Sequence, residues 1–355
     1  MKNLTLFTLL LETFICFNCD SQTSQEKLEI YFLDLEGGAS TLIVTPLKES
    51  VLIDVGSFEP QHRDADRISQ ACKDAGIEQI DYLITTHFHS DHYGGILELS
   101  RRIPIQCFMD KGALPPVHEQ NSDRFKRLYE RYLEATKEKQ KTIRAGDDIP
   151  LKNDTQNQIP NIKLHCVAAE KQVEGFDGDI DAEIKGYIIK EPDESDNARS
   201  IALVLEYGNF RFFAGGDITW NVEHHLAWPE NRVGKIDLYQ VTHHGLDMSN
   251  NPILLEAIKP KVCVAMNGVL KGIQPNSFKA MKSLASVKDI YQIHFNTQYG
   301  SDGNTSPEFI ANKQGESGNY IKGIVQPSKN IFKISYSGNK RTKSYKIGSV
   351  ASVKK

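Results

Sequence analysis

Residues 85–95 read Thr-Thr-His-Phe-His-Ser-Asp-His-Tyr-Gly-Gly and follow directly on an apolar strand expected from Tyr82 to Thr86. Four side chains able to ligate a metal, His87, His89, Asp91 and His92, fall within six positions. Three neutral imidazoles and a carboxylate can hold a first-row divalent cation, and such a cation lowers the pKa of water from about 15.7 to about 7. One ion could not use all four side chains of so short a turn without strain. In an extended run His87 and His89 point the same way and suit one ion, whereas Asp91 and His92, in the turn toward Gly94 and Gly95, face a second. The run therefore points to a hydrolytic enzyme with two divalent ions.

This pattern resembles the metallo-β-lactamase superfamily, and further segments agree with it in order. Val51-Leu-Ile-Asp54-Val-Gly56 is similar to that family's early strand ending in Asp and Gly, and Phe212-Phe-Ala-Gly-Gly-Asp217 to the later strand whose Asp bridges both metals. Tyr239-Gln-Val-Thr-His243-His244-Gly245 completes the set. The resemblance implies an α/β fold, an αββα sandwich of two mixed sheets with helices outside, and a dinuclear centre at one sheet edge. Within the superfamily the chain looks most like the metallo-β-lactamase-like domain of the competence DNA-uptake protein ComEC and its free-standing relatives. That likeness rests on Phe32-Leu-Asp34-Leu-Glu-Gly37-Gly, on Asn197-Ala-Arg-Ser200 and on His243-His244-Gly245. The chain departs from the pattern at Ala39 or Ser40, where an Asp is usual, and at Leu246, where a Ser is common.

The superfamily's third metal motif is a His just before a strand, and aligning the serines puts Asp196 there. Two divalent ions with Asp91, a bridging Asp217 and a hydroxide would leave about +1, and Asp196 as a further ligand would bring the centre to about zero. It would also favour harder ions, which makes manganese a rival to zinc. At the His-His pair, neighbours on a strand end point oppositely. His243 is assigned to the metal and His244 to a hydrogen bond with the substrate, with the reverse left open. Asp54, at the end of its strand, is placed to orient a metal-bound imidazole. His294, ending a late strand at the same expected sheet edge, is a candidate for the same supporting layer. Asp91 is expected both to ligate metal and to steer the nucleophile.

With 355 residues, 39% hydrophobic and 25% charged, the chain has the composition of one globular domain with a large core. The expected layout is a leader over residues 1–24 and one domain over residues 25–349, interrupted by an insertion over residues 112–195. Leu4 to Leu11 has the length of a signal segment, so export is expected: periplasmic, secreted or as a lipoprotein. Cys19 could carry a lipid anchor, the one route to a membrane, with simple cleavage the equal alternative. Cys72, Cys107, Cys166 and Cys263 lack metal spacing and read as buried thiols. A formal charge of −4 gives no general attraction to nucleic acid, so a nuclease would need a local basic patch.

Residues from His118 to Lys141 read as a charged surface helix with Phe125, Leu128, Tyr129, Tyr132 and Leu133 on one stripe. Asn330 to Tyr336 with Ser344 to Ile347 reads as a closing hairpin. The resemblance to the competence domain implies phosphodiester cleavage of a small molecule or nucleic acid, with lactone, lactam or thioester hydrolysis as the alternative on the same metal core. An exported metal-binding module without turnover is the reading from another class.

Overall fold

Side-chain alternation along the strands divides the apolar residues into three packed clusters separated by two sheets. In Leu28–Phe32, Ile30 and Phe32 face a central cluster while Tyr31 faces an outer one. In Phe210–Ala214, Phe212 points to the central cluster and Phe213 to a second outer one. The computed structural model describes residues 26–59, 61–156, 158–180 and 190–348. The expected leader, with Leu4 to Leu11 and Cys19, lies outside the described residues.

The first sheet runs in the order Asn339–Lys346, Ile331–Tyr336, Ile321–Gln326, Leu28–Phe32, Thr41–Val44, Ser50–Ile53, Ile80–Ile84, Ile105–Asp110, Lys141–Thr142. The second runs Ile310–Asn312, Asp289–His294, Val262–Ala265, Leu238–Gln240, Phe210–Ala214, Ala202–Tyr207, Ile162–Ala169, Asp148–Ile149, with Gln172–Val173 paired to Ile162–Ala169. Phe32 meets Phe212 edge to face across the interior at 5.8 Å, a contact worth about 1 kcal/mol beyond its buried area.

Helices cover both outer faces. Arg63–Asp74 buries Ala65, Ile68, Ala71 and Cys72 at helical spacing against the first sheet. Trp220–Ala227, Pro252–Ile258 and Pro275–Ser283 supply side chains to the cluster on the second. The architecture is the expected αββα sandwich. Among the described residues no helix is long and apolar enough to cross a membrane.

Three stretches differ in detail from expectation. The charged region after His118 is two helices, Val117–Gln120 and Asp123–Thr136, because Ser122 caps the second by accepting a hydrogen bond from the Phe125 amide at 3.1 Å. The insertion contributes Ile162–Ala169, an eight-residue strand of the second sheet with five residues in its last six buried. The closing hairpin is present, and Ile321–Gln326 joins it to Leu28–Phe32, so the end of the chain completes the first sheet. The four cysteines named above are unpaired, three of them buried and Cys107 half-buried.

Both sheets contain a parallel run, and the two runs position the site. Ser50–Ile53, Ile80–Ile84 and Ile105–Asp110 are parallel in the first, and Phe210–Ala214, Leu238–Gln240, Val262–Ala265 and Asp289–His294 in the second. Parallel strands end on the same side, so the residues just beyond them gather: Asp54, His87 to His92, Lys111, Asp217, His243 and His244, Lys271. Ligands of open α/β sheets bind at such carboxyl ends.

Candidate metal centre

Each strand end delivers its side chain through a short, tightly held turn. Asp54 leaves its strand with φ of 60° and takes three hydrogen bonds, from the Thr86 amide, the Thr86 hydroxyl and His92 Nδ1, each 2.8 Å long. Gly216, with φ of 53°, lets the Asp217 turn lie against the His87 strand end. A Cβ there would come within 3.1 Å of the Cβ atoms of Ser200 and Thr86, so a larger residue would push the turn away. The Asp217 amide then donates to Ser200 Oγ and the His243 amide to the Gly216 carbonyl.

His243 and His244 both adopt left-handed backbone conformations, φ 51° and 54°. Such residues cost about 1 kcal/mol or more each and persist where the surroundings enforce them. Here Glu223 enforces the turn from beneath. It accepts from Thr242 Oγ1 at 2.5 Å and from the Asn250 and Asn251 amides at 2.9 and 2.7 Å, and burial pushes its carboxyl up to about 7.

Hydrogen-bond partners fix the proton on four of the imidazoles. Thr86 Oγ1 donates to Asp54, so toward His87 Nδ1, 3.1 Å away, it can only accept. Ser249 Oγ donates to the Ile218 carbonyl and so accepts from His243 Nδ1. His92 Nδ1 donates to Asp54 and His244 Nδ1 to the Met266 carbonyl, both at 2.8 Å. In all four rings the Nδ1 proton is turned outward, so Nε2 is the atom that each ring presents to the carboxylates.

Those Nε2 atoms meet two carboxylates. His92 Nε2 lies 3.2 Å from Asp217 Oδ2, 3.6 Å from Asp91 Oδ2 and 3.3 Å from His244 Nε2. His244 Nε2 lies 3.4 Å from Asp91 and 3.5 Å from Asp217, and His243 Nε2 lies 3.5 Å from Asp217. The buried His87 Nε2 has no hydrogen-bond partner. Two groups of three, His87 with His92 and Asp217, and Asp91 with His92 and His244, have their ligand atoms within 4.8 Å of one another.

The field among these groups favours positive charge. Burial alone would raise the Asp217 and Asp91 carboxyls, yet His92 and its neighbours hold both well below the usual carboxylate range. Burial likewise opposes charge on His92, but Asp217, Asp54 and Asp91 together raise it well above an ordinary imidazole. His87 and His243 go the other way. Burial, together with neighbouring imidazoles, keeps them neutral, His243 at about 4.

Of the residues expected from sequence, the structure brings together His87, Asp91, His92, Asp217, His243 and His244, with Asp54 behind His92. His244, expected as the neighbour, stands in the three-residue group with Asp91 and His92, and His243 touches Asp217 alone among the carboxylates. Three others are placed differently. His89 directs Nε2 to Glu119 Oε2 at 3.2 Å. Asp196 spends one oxygen on the Phe88 amide at 2.7 Å and the other on the buried ammonium of Lys111 at 3.0 Å, so a nearer cation occupies the carboxylate expected to bind metal. His294 gives Nε2 to Asp34 Oδ1 at 2.6 Å, where Arg67 and the Gly318 amide also converge, and it supports that buried pair instead of the imidazole cluster.

Glu119, Lys111 and Lys271 were not singled out from the sequence. Lys271 bonds Asp91 directly and donates to the Gly37 carbonyl at 3.0 Å. All three come from loops or a charged helix far along the chain from their partners, and no local spacing marks them.

Asp196→Ala is accordingly expected to act on stability more than on metal. It leaves Lys111 with only Glu170 for a charge partner and frees the peptide between His87 and His89. The cost should be about 3 kcal/mol in urea unfolding of the metal-free protein, with metal stoichiometry unchanged. Loss of one ion without loss of stability would restore Asp196 as a ligand.

Residues 33–158 match the family model of the Metallo-beta-lactamase superfamily. No curated protein matches this chain. Among solved structures it is similar to a presumptive metal-dependent hydrolase from Parabacteroides distasonis, at 16% identity and TM-score 0.40, over 75% of this chain and 92% of that one. It is also similar to CmlA, a diiron β-hydroxylase from Streptomyces venezuelae, at 13% identity and TM-score 0.37, over 67% of this chain and 45% of that one. A metallo-beta-lactamase from Cronobacter sakazakii follows at 14% identity and TM-score 0.33, over 74% of each chain.

Proposed function

We propose that the chain is a metal-dependent hydrolase with two divalent ions whose substrate is a small anionic phosphodiester, with a lactone, lactam or thioester as the alternative. The observation that carries this is the set of four imidazoles whose Nδ1 protons are committed outward, so that four Nε2 atoms converge beside the carboxylates of Asp91 and Asp217.

These residues fit divalent ions. The Nε2 atoms of His92 and His244 lie 3.3 Å apart beside Asp91 and Asp217, where a divalent ion would supply the positive charge that these carboxylates otherwise draw onto the rings, and the buried His87 Nε2 is otherwise without a partner. His87 and Asp217 would hold one ion, completed by His89 when it exchanges Glu119 for the metal. Asp91, His92 and His244 would hold the other, with Asp217 between. Imidazole and carboxylate together suit zinc, and manganese remains open. Bound there, the ions would supply Lewis acidity, lowering the pKa of water and offsetting charge that develops on the substrate.

The protein's own groups do the rest. Asp54 and Thr86 fix the ring orientation of His92 and His87 through the far nitrogens. With Asp196 paired to Lys111, it adds no charge to the centre, which keeps about +1 with a hydroxide counted, and the Lys271 ammonium beside Asp91 adds more. That balance attracts an anionic substrate. The ComEC-like motifs, Asn197 to Ser200 and His243-His244-Gly245, support the phosphodiester in particular.

A panel of chromogenic substrates tests this: a bis-aryl phosphodiester, a lactone, a lactam and a thioester, each with zinc and with manganese. Turnover of the phosphodiester, abolished by chelation and restored by metal, is expected. Turnover of the lactone or lactam alone would move the substrate class, and bound metal without turnover of any would make the chain a metal-binding module.

A further inference from the structure

A cleft of about 320 Å³ opens beside the metal residues, lined by Phe88, His89, Asp91, Tyr93, Arg124 and Phe125 among others. That volume is at the small end for ligand sites and suits a group of one or two rings, not a polymer. Its wall is aromatic because Phe88, lying between His87 and His89 in sequence, packs edge to face on Tyr93, Tyr129 and Tyr132 at 5.4, 5.7 and 5.2 Å. Phe125 extends the wall by stacking on Tyr129. The apolar surface is thus joined directly to two candidate ligands.

Inside this wall lies a polar atom with nothing to bond. Tyr93 is 1% exposed, and its hydroxyl has no hydrogen-bond partner. A buried unsatisfied hydroxyl costs about 1 to 3 kcal/mol, and phenylalanine in its place would keep the ring packing without that cost. Arg124, exposed at the cleft's rim, adds a cation.

We propose that this cleft receives an aromatic ester group of the substrate, and that the Tyr93 hydroxyl donates a hydrogen bond to an acceptor carried on that group. The inference rests on the phosphodiester reading above and narrows it to aryl-bearing diesters of small size. Phe125 and Phe88 bury the ring, Tyr93 selects for a polar substituent, and Arg124 favours a negative one.

Three non-hydrolysable probes read the two features separately on the zinc-loaded protein: methylphosphonate, phenylphosphonate and 4-nitrophenylphosphonate, by titration calorimetry. The wild type is expected to bind the phenyl probe about 10- to 100-fold tighter than the methyl one. The nitro group should add about fivefold. Phe125→Ala should remove most of the first gain, and Tyr93→Phe only the second, with zinc content unchanged in both. Tyr93→Phe should also melt no lower than the wild type, since a hydroxyl held for structural reasons would be missed. Equal binding of methyl and phenyl probes would overturn the cleft's role, and a nitro gain that survives Tyr93→Phe would overturn that of Tyr93. Should none of the three bind although zinc is loaded, the phosphodiester reading falls and this inference with it. Turnover of the diester with equal phenyl and methyl affinities leaves that reading intact and removes the cleft alone.

Discussion

Asp217→Ala is expected to remove bound metal and hydrolysis together. Its Oδ2 lies within 3.5 Å of Nε2 on His92, His243 and His244, and it also groups with His87, so one carboxylate serves both sides of the centre. Without it the four imidazoles would face one another across a gap holding only Asp91, and binding a divalent ion would bring positive charge against neutral nitrogens alone on the His87 side. Elemental analysis after reconstitution should fall from about two ions per chain to fewer than one, and turnover to background. His87→Ala should do the same to the ion on its side. Asp54→Ala is the graded comparison. It keeps every ligand but releases the His92 ring, and supporting residues of that kind are worth about 10- to 100-fold in affinity. An Asp217→Ala protein that retains both ions would refute the arrangement.

What could be read from the chain was what local spacing encodes. His87, Asp91 and His92 stand within one turn, and Asp54, Asp217 and the His-His pair each follow an apolar strand, so their types and order were visible, while their convergence was implied by the resemblance alone and is produced by parallel strands ending on one side. Partner choice was not visible. Asp196 sits where the superfamily's motif predicts a ligand, yet its oxygens go to Lys111 and the Phe88 amide, because a buried ammonium 3.0 Å away offers a full charge that has no other route to neutrality except Glu170. Lys111 follows a strand in the other sheet, and nothing in its neighbours marks it as buried. His294 has the same history: it does end a strand at the right edge, and Asp34, 260 residues earlier, claims it. The charged stretch after His118 hid its contribution for a different reason. Its apolar stripe showed a helix, but only the fold shows that Glu119 reaches His89 and that Phe125 walls a cleft.

Replacing His243 and His244 one at a time is expected to give two different failures, with the geometry favouring the reverse of the sequence assignment, which had been left open. His244 points Nε2 at Asp91, Asp217 and His92, each within 3.5 Å, and its Nδ1 is anchored on a main-chain carbonyl. His244→Ala should therefore lose one ion and turnover with it. His243 reaches Asp217 only at 3.5 Å, and burial holds it neutral, at about 4. Its proton is given to Ser249, so the free Nε2 can accept a hydrogen bond from water or substrate but not donate one. His243→Ala should keep both ions and slow turnover by about 100- to 10,000-fold, the range for a positioned acid or base. Ser249→Ala separates this from a purely structural role: it leaves the His243 ring in place but releases the proton on Nδ1, so the tautomer is no longer fixed and turnover should fall while metal content stays. Metal analysis beside rate distinguishes the cases. If His243→Ala loses an ion and His244→Ala does not, the sequence assignment was right and the geometry of the bare cluster misleads. If both variants keep metal and rate, neither imidazole belongs to the chemistry.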